Sequence, residues 1–165
     1  MTSTEVVTRG ATRLLLELGY APITEVPLTN GRRADIVSLD PKGHCMIVEV
    51  KSGLADFRSD HKWQEYLDYG EEFYFAVDQD FPLEVLNEET SLPDITGIMI
   101  ADAYGAEILR PAANRRVNAA RKKTLTLKMA RLGGMRLAEQ VTGAPGLTRP
   151  GSPAPSSTPL IRGLL

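Results

Sequence analysis

Asp35, Glu49 and Lys51 are the residues of this sequence whose types and spacing can do chemistry together. Glu49-Val50-Lys51 closes the run Cys45-Met46-Ile47-Val48-Glu49-Val50-Lys51, which is otherwise apolar. In a strand, successive side chains point to opposite faces, so Glu49 and Lys51 share a face while Val50 enters the other packing layer. Charge then interrupts the strand on one face only. With Asp35 opposite on that face, two carboxylates and an ammonium converge at the end of one hairpin. Paired carboxylates repel unless a cation lies between them, and oxygen ligands of this kind suit magnesium, with manganese as the alternative. Such an ion activates water and neutralises charge on a phosphodiester, while Lys51 would orient that water or stabilise the phosphorane transition state. A main-chain carbonyl near Val50 can add a ligand. The competing reading is a salt-bridged cluster with no chemical task.

Elements to position these residues are legible around them. Thr2, Ser3 and Thr4 are alternative N-caps for a helix whose Val6, Ala11, Leu14, Leu15 and Leu18 cluster on one side and which Gly19 ends. Residues 22–27 read as a strand, Asn30-Gly31 as a two-residue hairpin turn, and Arg33 to Leu39 as the returning strand. Asp40-Pro41-Lys42-Gly43 turns the chain into the Cys45–Lys51 run, apolar on both faces like a covered central strand. Residues 54–69 look helical in one or two pieces, and Phe73 to Val77 is a further strand. Pro82 and Pro93 bracket an acidic, loop-rich connection to strands at Thr96 to Ala101 and Glu107 to Leu109. The spacing of Leu125, Met129 and Leu132 predicts a helix from Ala113 to about Ala138, with Gly133-Gly134 as a kink or stop.

One domain is expected over residues 1–142, because 165 residues with 42% apolar content support one core and not two. Residues 143–165 hold 12 Gly, Pro or Ser among 23 and are expected to be a disordered tail. There is no apolar run long enough to span a bilayer and no signal-peptide order at the start, so the expected location is the cytoplasm. Cys45 is the only cysteine, which excludes an internal disulfide, and with His44 and His61 alone to join it a zinc site lacks ligands. A buried thiol is expected instead. The net charge of -2 conceals an asymmetry: residues 1–107 carry 8 Lys/Arg against 20 Asp/Glu, and residues 108–165 carry 11 against 1. The acidic part suits cation binding and the basic part a polyanion, unless the two are partners within the molecule.

Asp35 followed after thirteen residues by Glu49-Val50-Lys51 resembles the signature of PD-(D/E)XK nucleases, in a helix, hairpin, strand, helix context. The longer strings Gly31-Arg32-Arg33-Ala34-Asp35, Val48-Glu49-Val50-Lys51-Ser52, Asp60-His61-Lys62-Trp63-Gln64-Glu65-Tyr66 and Ala101-Asp102-Ala103-Tyr104-Gly105-Ala106 are similar to the MmcB family of bacterial DNA repair proteins, over roughly residues 8 to 130. The resemblance implies a restriction-endonuclease-like α/β fold, a mixed central sheet flanked by helices, and a role in DNA repair in which cleavage follows from superfamily membership. Ala34 stands where the superfamily's name has proline, and the Gln-x-x-x-Tyr element of RecB-like nucleases is absent, since Asp68 stands four after Gln64. Lys62 and Tyr66 have that spacing instead, which predicts that they share a helical face near the site.

Further candidates flank the three central residues. Glu25 and, less strongly, Glu17 could supply another metal-site carboxylate. A strict two-residue turn at Asn30-Gly31 sets Asp35 opposite Val26 and turns Glu25 away, whereas one extra residue brings Glu25 back. Arg32, Arg33 and Lys62, with Arg121, Lys122 and Lys123 from the basic run between Arg110 and Arg136, are candidate DNA-phosphate contacts, or else a solvated face. Trp63 and Tyr66 either stack on a base or belong to the core, and Asp60 and His61 either assist the site or cap a helix. The leading expectation is a magnesium-dependent deoxyribonuclease acting in repair. The alternatives are a non-catalytic DNA-binding or adaptor module that keeps the fold, and a nuclease acting on RNA.

Overall fold

The computed structural model describes residues 1–143, so from residue 144 onward the expected tail lies outside the described residues. These residues fall into two compact units that divide after Met129. The first holds everything that follows up to the middle of the last helix.

Helix α1 (Ser3–Glu17) starts at Thr2, whose hydroxyl accepts the Glu5 N–H while the Glu5 carboxylate accepts the Thr2 N–H, a reciprocal cap. Val7, Ala11 and Leu15, four apart, are fully buried. Six strands follow: β1 (Ala21–Pro27), β2 (Arg33–Leu39), β3 (Cys45–Val50), β4 (Glu72–Val77), β5 (Gly97–Ala101) and β6 (Ala106–Arg110). They form one sheet in sequence order, antiparallel from β1 to β3, parallel from β3 to β5, and antiparallel again at β6. Parallel steps require crossovers, and the β3–β4 one is made by α2 (Leu54–Ser59) and a 3-10 turn at Trp63–Asp68.

The two faces of β3 are sorted by alternation. Met46, Val48 and Val50 pack with α1, Tyr74, Ala76 and Met99 in one core layer. Ile47 and Glu49 point to the other side, where Phe57, Trp63, Phe73, Phe75 and Phe81 form an aromatic cluster, Trp63 stacked on Phe73 at 5.4 Å. Trp63 therefore belongs to the core. All six residues of β3 are buried, as expected for a strand covered on both sides. The result is a mixed α/β domain whose six-stranded sheet is flanked by helices, consistent with a restriction-endonuclease-like fold.

Two details differ from the sequence reading. The β1–β2 connection is not a two-residue turn: Leu28 N–H donates to Arg32 C=O at 2.7 Å, so the loop is Thr29-Asn30-Gly31 with Gly31 at φ +82°. Asn-Gly is read locally as a two-residue turn, but a type I turn closed by a left-handed glycine uses the same residues. The last helix, α3 (Ala119–Thr142), begins six residues later than predicted and passes through Gly133-Gly134 without stopping. Its late start has a tertiary cause. Ala113 N–H donates to Ile95 C=O and Arg115 N–H to Glu71 C=O, so this stretch is a strap along the domain, and Asn118 then caps the helix through Arg121 N–H at 3.0 Å.

Candidate active site

The three-residue loop shifts the hairpin register so that Thr24 pairs with Ile36 and Val26 with Ala34, which sets Glu25 opposite Asp35. On the other side, Ile36 pairs with Val48, so the next step places Asp35 opposite Glu49. Here the β2–β3 ladder opens and the two carboxylates take over its hydrogen bonds. Asp35 N–H donates to Glu49 Oε1 at 3.0 Å, and Val50 N–H donates to Asp35 Oδ2 at 2.8 Å. Lys51 continues on the Glu49 face, with its N–H on Ala76 C=O.

Glu49 is out of water and Asp35 is half-buried beside it. Glu49 is 4% exposed and its carboxyl is pushed up to about 9, first by burial and then by the neighbouring Asp35 charge. Asp35 is raised as well, chiefly by burial, with the Val50 N–H and the Lys51 charge working against the shift. Both shifts favour the protonated carboxyl, most strongly at Glu49. Tyr66 closes the site from the 3-10 turn: its hydroxyl donates to Arg33 C=O at 3.0 Å and is pushed up to about 12 by burial and the Glu49 charge.

Lys51 is 4% exposed and its Nζ donates to Asp60 Oδ2 at 2.7 Å. The other Asp60 oxygen accepts Arg32 Nη2 at 3.2 Å and the Lys62 N–H at 3.0 Å. The sequence offers Asp60 as a helix N-cap or a site residue; the N-cap of the 3-10 turn is Lys62, and Asp60 accepts that residue's N–H in the loop before it. Its tie to Lys51 has no local signal, because no pattern links residues nine apart across a strand end and a loop. Burial alone would raise Asp60, but the bonds from Lys51 and Lys62 and the charges of Lys51 and Arg32 hold it below the usual carboxylate range.

The remaining candidates separate. Glu25, in register with Asp35 but at φ +53°, carries an exposed side chain 3.7 Å from Arg33. Glu17 is an exposed residue of α1. Among the described residues no three His, Cys, Asp or Glu side chains converge as a metal-ion group. Lys62 and Tyr66 do not share an α-helical face, since the segment is a 3-10 turn with Lys62 as its N-cap. His61 lies on the same loop, exposed. In the basic run, Lys122 is ion-paired to Glu71, Arg121 lies over the Tyr69 ring at 5.3 Å, and Lys123 is exposed. Arg110 and Arg115 bond to backbone carbonyls of the domain. Cys45 is buried, its thiol pushed up to about 12 by burial and the Glu71 charge.

The model of the MmcB-like DNA repair protein family matches residues 2–144. The chain belongs to this family. Its structure is similar to that of a protein of unknown function from Silicibacter pomeroyi, with 35% sequence identity, a TM-score of 0.80, and coverage of 90% of this chain and 99% of that one. No curated protein matches. Family membership assigns the chain to DNA repair and makes DNA its expected partner. Among the described residues no helix is long and apolar enough to cross a membrane.

Proposed function

We propose that this chain is a metal-dependent nuclease of the PD-(D/E)XK superfamily that hydrolyses DNA phosphodiester bonds during repair. The observation that carries the reading is the Asp35–Glu49 pair, Glu49 buried and Asp35 half-buried, on one face of an opened strand end, with Lys51 beside it. Packing a second carboxyl against the buried Glu49 disfavours ionisation of the pair, and the Lys51 charge offsets this only in part, because its ammonium is bonded to Asp60.

The donor set fits a hard divalent cation. Each carboxylate spends one oxygen on a backbone N–H, and no backbone N–H reaches Asp35 Oδ1 or Glu49 Oε2 among the described residues. Asp35 and Glu49 would hold magnesium or manganese, with water, main chain or substrate completing the shell. The ion would supply Lewis-acid stabilisation of phosphate charge and a more acidic water. The chain's own contribution is to fix both carboxylates through the Asp35 and Val50 N–H groups, and to exclude bulk water with Tyr66 and the aromatic cluster. Lys51 presents a cation next to the pair, where negative charge grows on a phosphorane. Arg32, Arg33 and Lys123 are the candidate backbone contacts that draw in the polyanion.

Magnesium titration of the purified protein tests the metal site without reference to activity. Cation binding must displace the proton that Glu49 holds, so apparent affinity should rise with pH, by up to about tenfold per unit, towards pH 9. Asp35→Asn should remove both the binding and its pH dependence. A wild-type protein that shows no magnesium-dependent thermal shift at any pH would favour a DNA-binding module that keeps the fold without catalysis.

A further inference from the structure

Lys51, Asp60 and Arg32 form a chain of alternating charge in which Asp60 spends one oxygen on each cation, at 2.7 Å and 3.2 Å. Donors that satisfy a carboxylate in this bridging manner also satisfy a phosphate, which offers the same oxygens with more charge. The three residues border an open basin of about 480 Å³, lined also by Asp56, Ser59, His61 and Lys62. Asp56 is engaged elsewhere, its Oδ2 accepting the Ser52 N–H. Arg32 is held in place by a second contact, its guanidinium lying 5.4 Å over the Tyr66 ring, so its position does not depend on Asp60 alone. Its buried Nε has no hydrogen-bond acceptor among the described residues, and Glu65 Oε2 stands 3.8 Å away. What the basin itself meets is three cations, Arg32, Lys51 and Lys62, against the carboxylates of Asp56 and Asp60, and a phosphate entering it would find donors that Asp60 now occupies.

We propose that this basin seats a DNA phosphate beside the carboxylate pair, and that Asp60 is its built-in stand-in, which releases Arg32 and Lys51 when the phosphate enters. The inference rests on the DNA-hydrolysing reading and deepens it. Asp60 holds Lys51 in the free protein, keeps the buried Lys51 and the half-buried Arg32 from facing each other unscreened, and competes with substrate. Removing its charge therefore strengthens phosphate binding, the opposite of what loss of a structural salt bridge would do.

The test is binding of a short fluorescein-labelled duplex in the absence of divalent metal, so that the result does not depend on cleavage. Asp60→Asn retains an oxygen for the Lys62 N–H and should bind roughly three- to tenfold tighter than wild type. Arg32→Gln should bind more weakly, and the loss should be larger in the Asp60→Asn background. A folded Asp60→Asn protein with equal or weaker affinity overturns the proposal. Should that variant fail to fold, the wild-type protein decides: the Arg32 Nε–H resonance should shift on titration with inorganic phosphate, and a resonance that neither phosphate nor duplex moves overturns the proposal. Tighter binding by Asp60→Asn in a protein that cleaves nothing would sink the hydrolytic reading and leave the phosphate seat standing.

Discussion

Glu49 makes the cost of the site measurable. Its folded value near 9 lies above the ordinary 4.5, so between those two values the folded chain binds a proton that the unfolded chain releases. The stability contribution is therefore complete below pH 4.5 and is lost as pH rises towards 9. Glu49→Gln keeps an oxygen to accept the Asp35 N–H and removes the titration. It should be more stable than wild type, by on the order of 2 kcal/mol above neutral pH, with a flatter pH–stability profile. Denaturant unfolding across that pH range checks this, and parallel profiles for the two proteins would show that Glu49 is already ionised and comfortable. Lys122 offers a contrast. It is paired with the mostly buried Glu71, whose other oxygen accepts the Cys45 N–H, so Lys122→Gln should cost about 1 kcal/mol. Exposed Lys123→Gln should leave unfolding unchanged.

Helix α1 lies against the β5–β6 turn at Gly10, where a Cβ would meet the backbone carbonyls of Asp102 and Gly105. Backbone cannot yield as a flexible side chain can, so Gly10→Ala should lift α1 from the sheet and destabilise the domain by about 3 kcal/mol. A melting temperature close to wild type would show that this helix is not pinned there. All six strands were legible at this scale, because the Cys45–Lys51 run has the continuous apolar character of a covered strand and its neighbours are bounded by Pro, Gly and Asn-Gly turns. The alternation that puts Glu49 and Lys51 on one face was equally readable, and Val50 does pack under α1. What could not be read depends on partners distant in sequence. The α3 start is set by hydrogen bonds to Ile95 and Glu71, and the hairpin register by the Leu28–Arg32 pairing. The tie between Lys51 and Asp60 exists only once α2 has folded the loop back over the strand end.

Across the molecule, the charge asymmetry of the sequence resolves into two uses. Part of the basic run is internal scaffolding, as Lys122 on Glu71 and the Arg110 and Arg115 bonds to carbonyls show. Lys123 remains at the surface, and Arg121 is also accessible while resting on Tyr69. Changing Arg121, Lys122 and Lys123 together to Gln should therefore flatten the dependence of log affinity on log salt by about 1 to 2 units, less than three free phosphate contacts would give. A slope reduced by about 3 units would mean that Lys122 leaves Glu71 to bind DNA. The central claim, that the Asp35–Glu49 carboxylate pair serves hydrolysis of DNA, is tested most directly by a cleavage assay on duplex, flap, branched and damaged DNAs, with and without magnesium. Wild-type protein should cut at least one of these substrates only when magnesium is present, while folded Asp35→Asn and Glu49→Gln proteins should bind that substrate and leave it intact. Cleavage that survives either substitution, or a wild-type protein that binds the whole panel and cuts none of it, would contradict the account.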